Sequence, residues 1–416
     1  MKKIKFLFIV MLSTLILCLC GCTPKAALSS SDSVTITFWH NYDEGSGQIE
    51  VLKQLISRFE NENSGIKVND LYLEWSALRD NIVTGASTKM LPDVLRGDIG
   101  FVPQFQSLNV LVEMSSLPGY ANAAAKLLAA PNSTAKMGDK FYGIAANTNT
   151  KILFYNNDIL SKAGLSAPRT LDELWAHTAI LSGNGRYGFV EAWTGVWNVG
   201  QYIWSNGGDI LSPDNSTATG YLNEAIAVAA IQKLADLYAA KQLTGPTLDP
   251  GAMGDTDGLA AGVYVMTIDG PWRATAFEQA GINYGAVPMP AGNAGAAGVL
   301  GGEDFMMFQT SDAGHQAAAW KFVQFMVSKD AQVAMAKVGQ MPVNMEAISD
   351  PAALDAMPLL PVFAQSLQTA RSRPVTPRWS EMEDIIAMRV NEAITGAKPV
   401  QRAMDEAVEA INAILR

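Results

Sequence analysis

Residues 141–165 read FYGIAANTNTKILFYNNDILSKAGL, and this stretch decides how the chain divides. ILFYN has the apolar and aromatic run of a strand, and NDILSKAGL is a short helix closed by Gly164. Immediately beyond, Pro168-Arg169-Thr170-Leu171-Asp172-Glu173 forms a capping box, with Thr170 as cap and Glu173 three residues on, opening the helix LDELWAHTAILS. A second α/β unit therefore begins here.

Toward the N-terminus the same alternation appears. VTITFW, residues 34–39, alternates β-branched and aromatic residues and predicts a strand entering the interior. A helix follows with Ile49, Leu52, Leu55, Ile56 and Phe59 on one face, stopping near Asn63 to Gly65. IKVNDLYLEW and LPDVLRGD add two strands, so the first unit is also α/β. Toward the C-terminus, Tyr221 to Ala240 is Ala-rich and helical, and Pro246 to Gly258 reads as a loop. VYVMTIDGPW, INYGAVPMP and VLGGEDFMMFQ are strands, and residues 314–338 are one or two helices with Trp320, Val323, Met326 and Val327 inward. The last 40 residues make two amphipathic helices. In EAWTGVWNVGQYIWSNGGDIL, residues 191–211, Gly195 places the helix start near Trp197, leaving Trp193 outside and Trp204 in the core.

Almost half the residues are hydrophobic and only 17% are charged, so the body buries a large interior. Roughly 380 residues exceed what one core serves, which predicts two lobes. The opening MKKIKFLFIVMLSTLILCLCGC has the layout of a signal peptide over residues 1–21, too short and too interrupted for a membrane span. Leu19-Cys20-Gly21-Cys22 resembles the bacterial lipobox, which makes Cys22 the lipidated first residue of the mature chain and residues 22–33 a flexible tether. Cys20 departs mildly from the small residue usual there. The three cysteines, Cys18, Cys20 and Cys22, all lie at this junction, so the body has no disulfide and no cysteine metal site. Removing Lys2, Lys3 and Lys5 leaves 27 basic against 40 acidic residues, a balance of −13 that disfavours nucleic acid.

Familiar catalytic chemistry is missing. His40, His177 and His315 are scattered, with no metal-binding spacing, and there is no GxSxG elbow and no GxxxxGK[ST] phosphate loop. Residues 183–188, GNGRYG, spell GxGxxG, but they follow a helix and precede a strand, the reverse of a dinucleotide site. Asp255-Thr256-Asp257-Gly258 matches half a calcium loop and lacks the later ligands. Glu303 and Asp304 are adjacent on a strand and point to opposite faces, which spoils them as a facing acid/base pair.

Several passages together resemble one family, in its order and over most of residues 34–416. They are ITFWH, LPDVLRGDIGFVPQFQSLNVLVEM, YGIAANTNTKILFYNNDILSKAGLSAPRTLDELW, WSNGGDIL, MTIDGPW, YGAVPMPAG with GVLGGEDF, and AAWKFVQFMVSKDAQ with GQMPVN. The chain resembles the extracellular solute-binding lipoproteins of carbohydrate ABC importers, a group that includes maltose and maltodextrin binders. The resemblance implies a two-lobed periplasmic-binding-protein-like α/β fold of type II, with the ligand cleft between lobes joined by crossing hinge strands. Carried onto this chain, residues 34–148 plus 287–340 form an N-lobe and 149–286 plus 341–416 a C-lobe, with crossings near Asn147, near Ala286 and from Met341 to Asn344. It further implies a monomer held to the bacterial cell membrane by its lipid and serving the importer's permease subunits, with no cofactor, no metal and no catalysis.

A neutral sugar needs hydrogen-bonding side chains at its edge and flat aromatic surfaces at its faces. His40 and Asn41, after the first strand, are expected either to bond ligand or to make a loop contact. Glu74 and Trp75, at the end of another strand, carry the same pair of readings. Arg96 and Asp98 together hold sugar hydroxyls by charge-assisted bonds, or form a structural ion pair at the strand end. Asn149 and Thr150 match a family position that contacts ligand, the alternative being a plain turn. Trp272, held by a Gly-Pro turn, matches an aromatic that stacks on sugar, the alternative being a core ring. Gly302, Glu303 and Asp304 lie in GGED, where backbone can approach a ligand and one acid can bind, the alternative for either acid being a solvated strand-end charge. Arg373 and Trp379, with Arg371, precede a helix where the family places cleft groups. Glu191, Trp193 and Trp197 sit at the strand-to-helix turn expected to face the cleft. The leading expectation is capture of a di- or oligosaccharide by lobe closure. A glycerol-phosphate receptor competes with it, and a secreted glycoside hydrolase using Glu191 with Asp304 is a further alternative.

Overall fold

The computed structural model describes residues 33–42, 47–88, 90–309 and 312–416, apart from the Ser76 side chain. The signal peptide, Cys22 and the tether as far as residue 32 lie outside the described residues.

The described residues form twelve strands: β1 (Val34–His40), β2 (Ile66–Tyr72), β3 (Val94–Asp98), β4 (Lys136–Met137), β5 (Lys140–Phe141), β6 (Ile144–Asn149), β7 (Ile152–Asn156), β8 (Tyr187–Val190), β9 (Leu243–Thr244), β10 (Tyr264–Asp269), β11 (Tyr284–Val287) and β12 (Gly301–Met307). Ten of them build two five-stranded sheets, ordered β2-β1-β3-β12-β6 and β11-β7-β10-β8-β9, while β4 and β5 form a hairpin. Each large sheet is mixed. In the first, β1 runs parallel to β2 and β3, and β12 runs antiparallel to β3 and β6. In the second, β8 pairs in parallel with β10 and β9, and β7 is antiparallel to β10 and β11. The parallel pairs need helical crossovers, which is why helix and strand periodicities alternate along both halves of the sequence.

Each sheet has its own core. Ile36, Phe38, Leu52, Phe59, Phe305 and Phe322 pack together on the first, and Leu153, Phe189, Tyr202, Trp204, Ile231 and Met404 on the second. Residues 314–338 hold two helices, Ala313–Met326 and Lys329–Ala336; Trp320, Val323 and Met326 on the first and Val327 at its C-cap are buried as expected. The terminal helices Trp379–Ile394 and Val400–Leu415 pack into the second core. At Thr170 the side chain accepts from Glu173 N at 3.1 Å, and Glu173 accepts from Arg169 N at 2.7 Å. GNGRYG is the turn between the helix Leu171–Leu181 and β8.

Three local expectations are corrected. Residues 255–260 are a helix, Asp255–Ala260, in which Asp255 is buried against Arg273. The strand expected to reach Trp75 ends at Tyr72, and Trp75 opens the helix Trp75–Thr88. The second crossing comes later than Ala286, because β11 pairs with β7 and Met289, Ala297 and Val299 still pack in the second core. The chain re-enters the first sheet only at Gly301.

The chain passes between the sheets directly from β6 to β7, at Thr150 and Lys151. Thr148 N donates to Met341 O at 3.1 Å, and Leu300 N donates to Arg371 O at 2.9 Å, so later segments are stitched to this crossing. Among the described residues no helix is long and apolar enough to cross a membrane.

Candidate functional site

Beside the crossing lies a cavity of about 640 Å³, within the range of small-molecule sites. Five tryptophans line it: Trp75, Trp193, Trp197, Trp272 and Trp379, together with Phe101. Its polar groups are Arg79, Asp98, Asn149, Glu303, Arg373, Ser380, Glu383 and Asp384, with Gly301 and Gly302 at the floor.

Local sequence explains how the rings reach it. Trp193 lies before the helix Val196–Ser205, which starts as expected after Gly195, and remains 51% exposed. Trp197 stands in the first turn of that helix and reaches the hinge, because a side chain at Gly301 would collide with its ring and with Asn149. Trp204, two turns further on, is 3% exposed and donates from Nε1 to Asp209 at 2.9 Å. Trp272 opens the helix Trp272–Gln279 and folds back over Gly270, where a Cβ would strike the indole. Its ring lies 6.0 Å from that of Trp197 at an interplanar angle of 34°.

Both of these indoles stand on buried charge. Trp272 Nε1 donates to Asp269 at 3.2 Å, and Asp269 also accepts from Arg273 at 2.6 Å. Lys151 is fully buried, its Nζ 5.2 Å from the Trp197 ring and donating to Ile268 O at 3.4 Å. Burial pulls the Lys151 ammonium down, against the attraction of Glu191 and Asp269. Glu191 accepts from Asn198 and Tyr202, and burial pushes it up to about 7, opposed by Lys151 and those two donors. Glu383 is likewise pushed up to about 7 by burial, opposed by Arg373 and by the backbone N–H groups of Trp197 and Val196 that it caps.

Asp98, at the end of β3, accepts from Arg373 at 2.7 Å, an ion pair that joins the first sheet to the segment entering the helix Trp379–Ile394. Glu303 faces the cavity while holding Arg96 at 2.9 Å and Asn147 at 2.6 Å. Arg96 also donates to Asn41 at 2.5 Å and to Gln340 at 2.8 Å, and lies over Tyr42.

Of the residues singled out by sequence, Trp75, Asp98, Asn149, Trp193, Trp197, Trp272, Gly302, Glu303, Arg373 and Trp379 line this cavity. The other seven do not. His40 shares the inward face of β1 with Ile36 and Phe38, is wholly buried, and meets Asp70 at 3.4 Å. Asn41 and Arg96 are spent on each other and their neighbours rather than on a ligand. Arg96 therefore forms no ligand clamp with Asp98, since each has a different ionic partner. Glu74 accepts from Tyr72 at 2.8 Å. Thr150 is buried and donates to Val299 O at 2.9 Å, which fastens the crossing. Asp304 points away from Glu303, wholly buried, and accepts from Thr134 at 3.1 Å. Glu191 and Asp304, the hydrolase pair weighed above, are thus both turned from the cavity into separate interiors.

The lining groups that sequence reasoning missed are Arg79, Phe101, Ser380, Glu383 and Asp384. Two carried a signal: Arg79 and Glu383 stand four residues after Trp75 and Trp379, one helical turn along the same face. Among the described residues no cluster of His, Cys, Asp and Glu is arranged to hold a metal ion.

Comparison with known proteins agrees with this architecture. A family model described as bacterial extracellular solute-binding protein matches residues 54–362. The chain is 24% identical to a galactooligosaccharide-binding protein of Bacillus subtilis, over 94% of this chain and 93% of that one. It is also 24% identical to a maltooligosaccharide ABC transporter solute-binding lipoprotein of Streptococcus pneumoniae, over 100% and 98%. In structure it is similar to the ABC substrate-binding protein Lmo0181 of Listeria monocytogenes, solved with cycloalternan, at a TM-score of 0.82. That match covers 92% of this chain and 99% of that one at 21% identity.

Proposed function

The chain belongs to the bacterial extracellular solute-binding protein family, and from that premise we propose that it captures an uncharged di- or oligosaccharide in the cleft and presents it to an ABC importer. The carrying observation is the set of five tryptophans around a cavity that is also lined by eight hydrogen-bonding side chains. Indole faces cover the C–H faces of a pyranose, and Asn149, Arg79 and Ser380 offer donors and acceptors to its hydroxyl edge. Four carboxylates face the cavity against two arginines, an unfavourable balance for a phosphate ligand. The relatives named for maltooligosaccharides and galactooligosaccharides support the same ligand class.

Binding proceeds by closure of the two sheets about the hinge at Thr150 and Lys151, because a ligand touching both favours the closed state. Attachment through a lipid on Cys22, a position at the outer face of the cell membrane, a monomeric state and delivery to permease subunits belong to the same reading. Sugar is bound and released without bond cleavage. Thermal-shift screening against a glycan panel tests this, since a sugar at 100 times its Kd stabilises the fold by about 2.7 kcal/mol. A panel with no shift refutes the ligand class, and products released from an oligosaccharide refute binding without cleavage.

A further inference from the structure

A second cavity, of about 440 Å³, adjoins the first and shares Asn149, Trp272 and Glu303 with it. Trp272 is the partition: its ring lines both chambers. The new chamber adds Thr275 and Gln279 from one side and Gln48 and Gln340 from the other. Thr275 and Gln279 are four residues apart on the helix Trp272–Gln279, so both project from one face of it. Neither side chain makes a hydrogen bond among the described residues. Gln340 spends its Oε1 on Arg96 at 2.8 Å and leaves its amide N–H groups for another acceptor. Gln48, bonded to Val338 O at 3.3 Å, closes the far wall. Among the described residues Glu303 is the only charged group lining the chamber, and it is neutralised by Arg96 at 2.9 Å.

Hydroxyl and amide groups drawn from both sides of the hinge, next to an aromatic residue and with no net charge among the described lining residues, match a polyhydroxylated ring better than an ion. We infer that this chamber is a further subsite for one more uncharged sugar ring, so that the ligand runs past Trp272 and is an oligosaccharide longer than the main chamber holds. The inference rests on the sugar reading above.

Calorimetric titration of the mature chain with maltooligosaccharides of two to six rings and galactooligosaccharides of two to four rings tests it. Each net hydrogen bond gained multiplies affinity by roughly two- to tenfold, so the ring that enters the chamber tightens binding at least about tenfold. Thr275→Trp fills the chamber and abolishes that increment, leaving the affinity of the shorter sugar within about twofold of wild type. Gln279→Ala, which adds no bulk, weakens only the longer sugar, by roughly two- to tenfold. A wild-type protein with no increment, an increment that survives Thr275→Trp, or equal weakening of short and long sugars overturns the subsite while leaving the sugar reading intact. If no member of either series binds, the sugar reading and the subsite fall together.

Discussion

Trp193→Ala separates a ring held for ligand from a ring held for folding. Tryptophan presents up to ~250 Å², and with 51% of it exposed about half of that area is available to a partner. A sugar stacked on one face covers about half of the exposed part, ~65 Å², worth ~1.6 kcal/mol at ~25 cal/mol per Å². Truncation should therefore raise Kd by about 15-fold. The buried remainder of the ring contributes to folding, so some stability is lost as well. Trp204→Ala is the control, because only 3% of that ring is exposed. It should lower unfolding free energy by about 3–5 kcal/mol while leaving Kd unchanged for the fraction that is folded. Trp193→Ala should lose at most about half as much stability. Calorimetry with the tightest sugar from the glycan panel gives Kd, and urea unfolding gives stability. A Trp193→Ala protein that binds within twofold of wild type refutes the stacking role, and the reverse pattern would reassign the two rings.

The ion pair of Asp98 and Arg373 makes a second prediction. Its side chains are 17% and 10% exposed, and removing one partner strands the other charge; Arg373→Met should cost about 3–5 kcal/mol. The double variant Asp98→Asn with Arg373→Met should recover part of that loss in urea titrations, and strictly additive effects would refute the coupling. A third prediction concerns acid. Burial lowers His40 to about 4, with Arg96 helping and Asp70 opposing, so the folded state resists protonation. Its contribution is held above the unfolded value of about 6.5 and lost as pH falls toward 4, about 3 kcal/mol in all. Glu191, raised to about 7, acts with the opposite sign: its protonated form favours folding, so its contribution is full below about 4.5 and fades as pH rises through 7. His40→Gln should accordingly shrink the stability lost between pH 7.5 and pH 4.5 by about 2–3 kcal/mol, and an unaltered difference in urea unfolding at those two values would count against a buried neutral His40.

Much of the cleft was legible from residue type combined with position at a strand or helix end. Trp272 after a Gly-Pro turn, Trp193 before a helix and Asp98 at the close of β3 all line the cavity. His40 was misplaced although the signal stood in the sequence: it continues the inward alternation of Ile36 and Phe38, so period two alone sends it to the core. Arg79 and Glu383 were missed because their helices begin at Trp75 and Trp379, positions first read as the end of a strand and as preceding a helix.

The division into two α/β units, the helices and strands of each, and the stock of tryptophans, amides and carboxylates follow from the sequence by itself, because periodicity, caps and turns act between neighbours in the chain. Which polar groups remain available to a ligand was decided only by the tertiary structure. Arg96 is taken up by Glu303, Asn147, Asn41 and Gln340, groups 51 to 244 residues away in sequence. Asp98 is claimed by Arg373, 275 residues on. A buried charge takes whichever counter-charge the folded backbone brings within reach, and that choice between distant partners has no local signature.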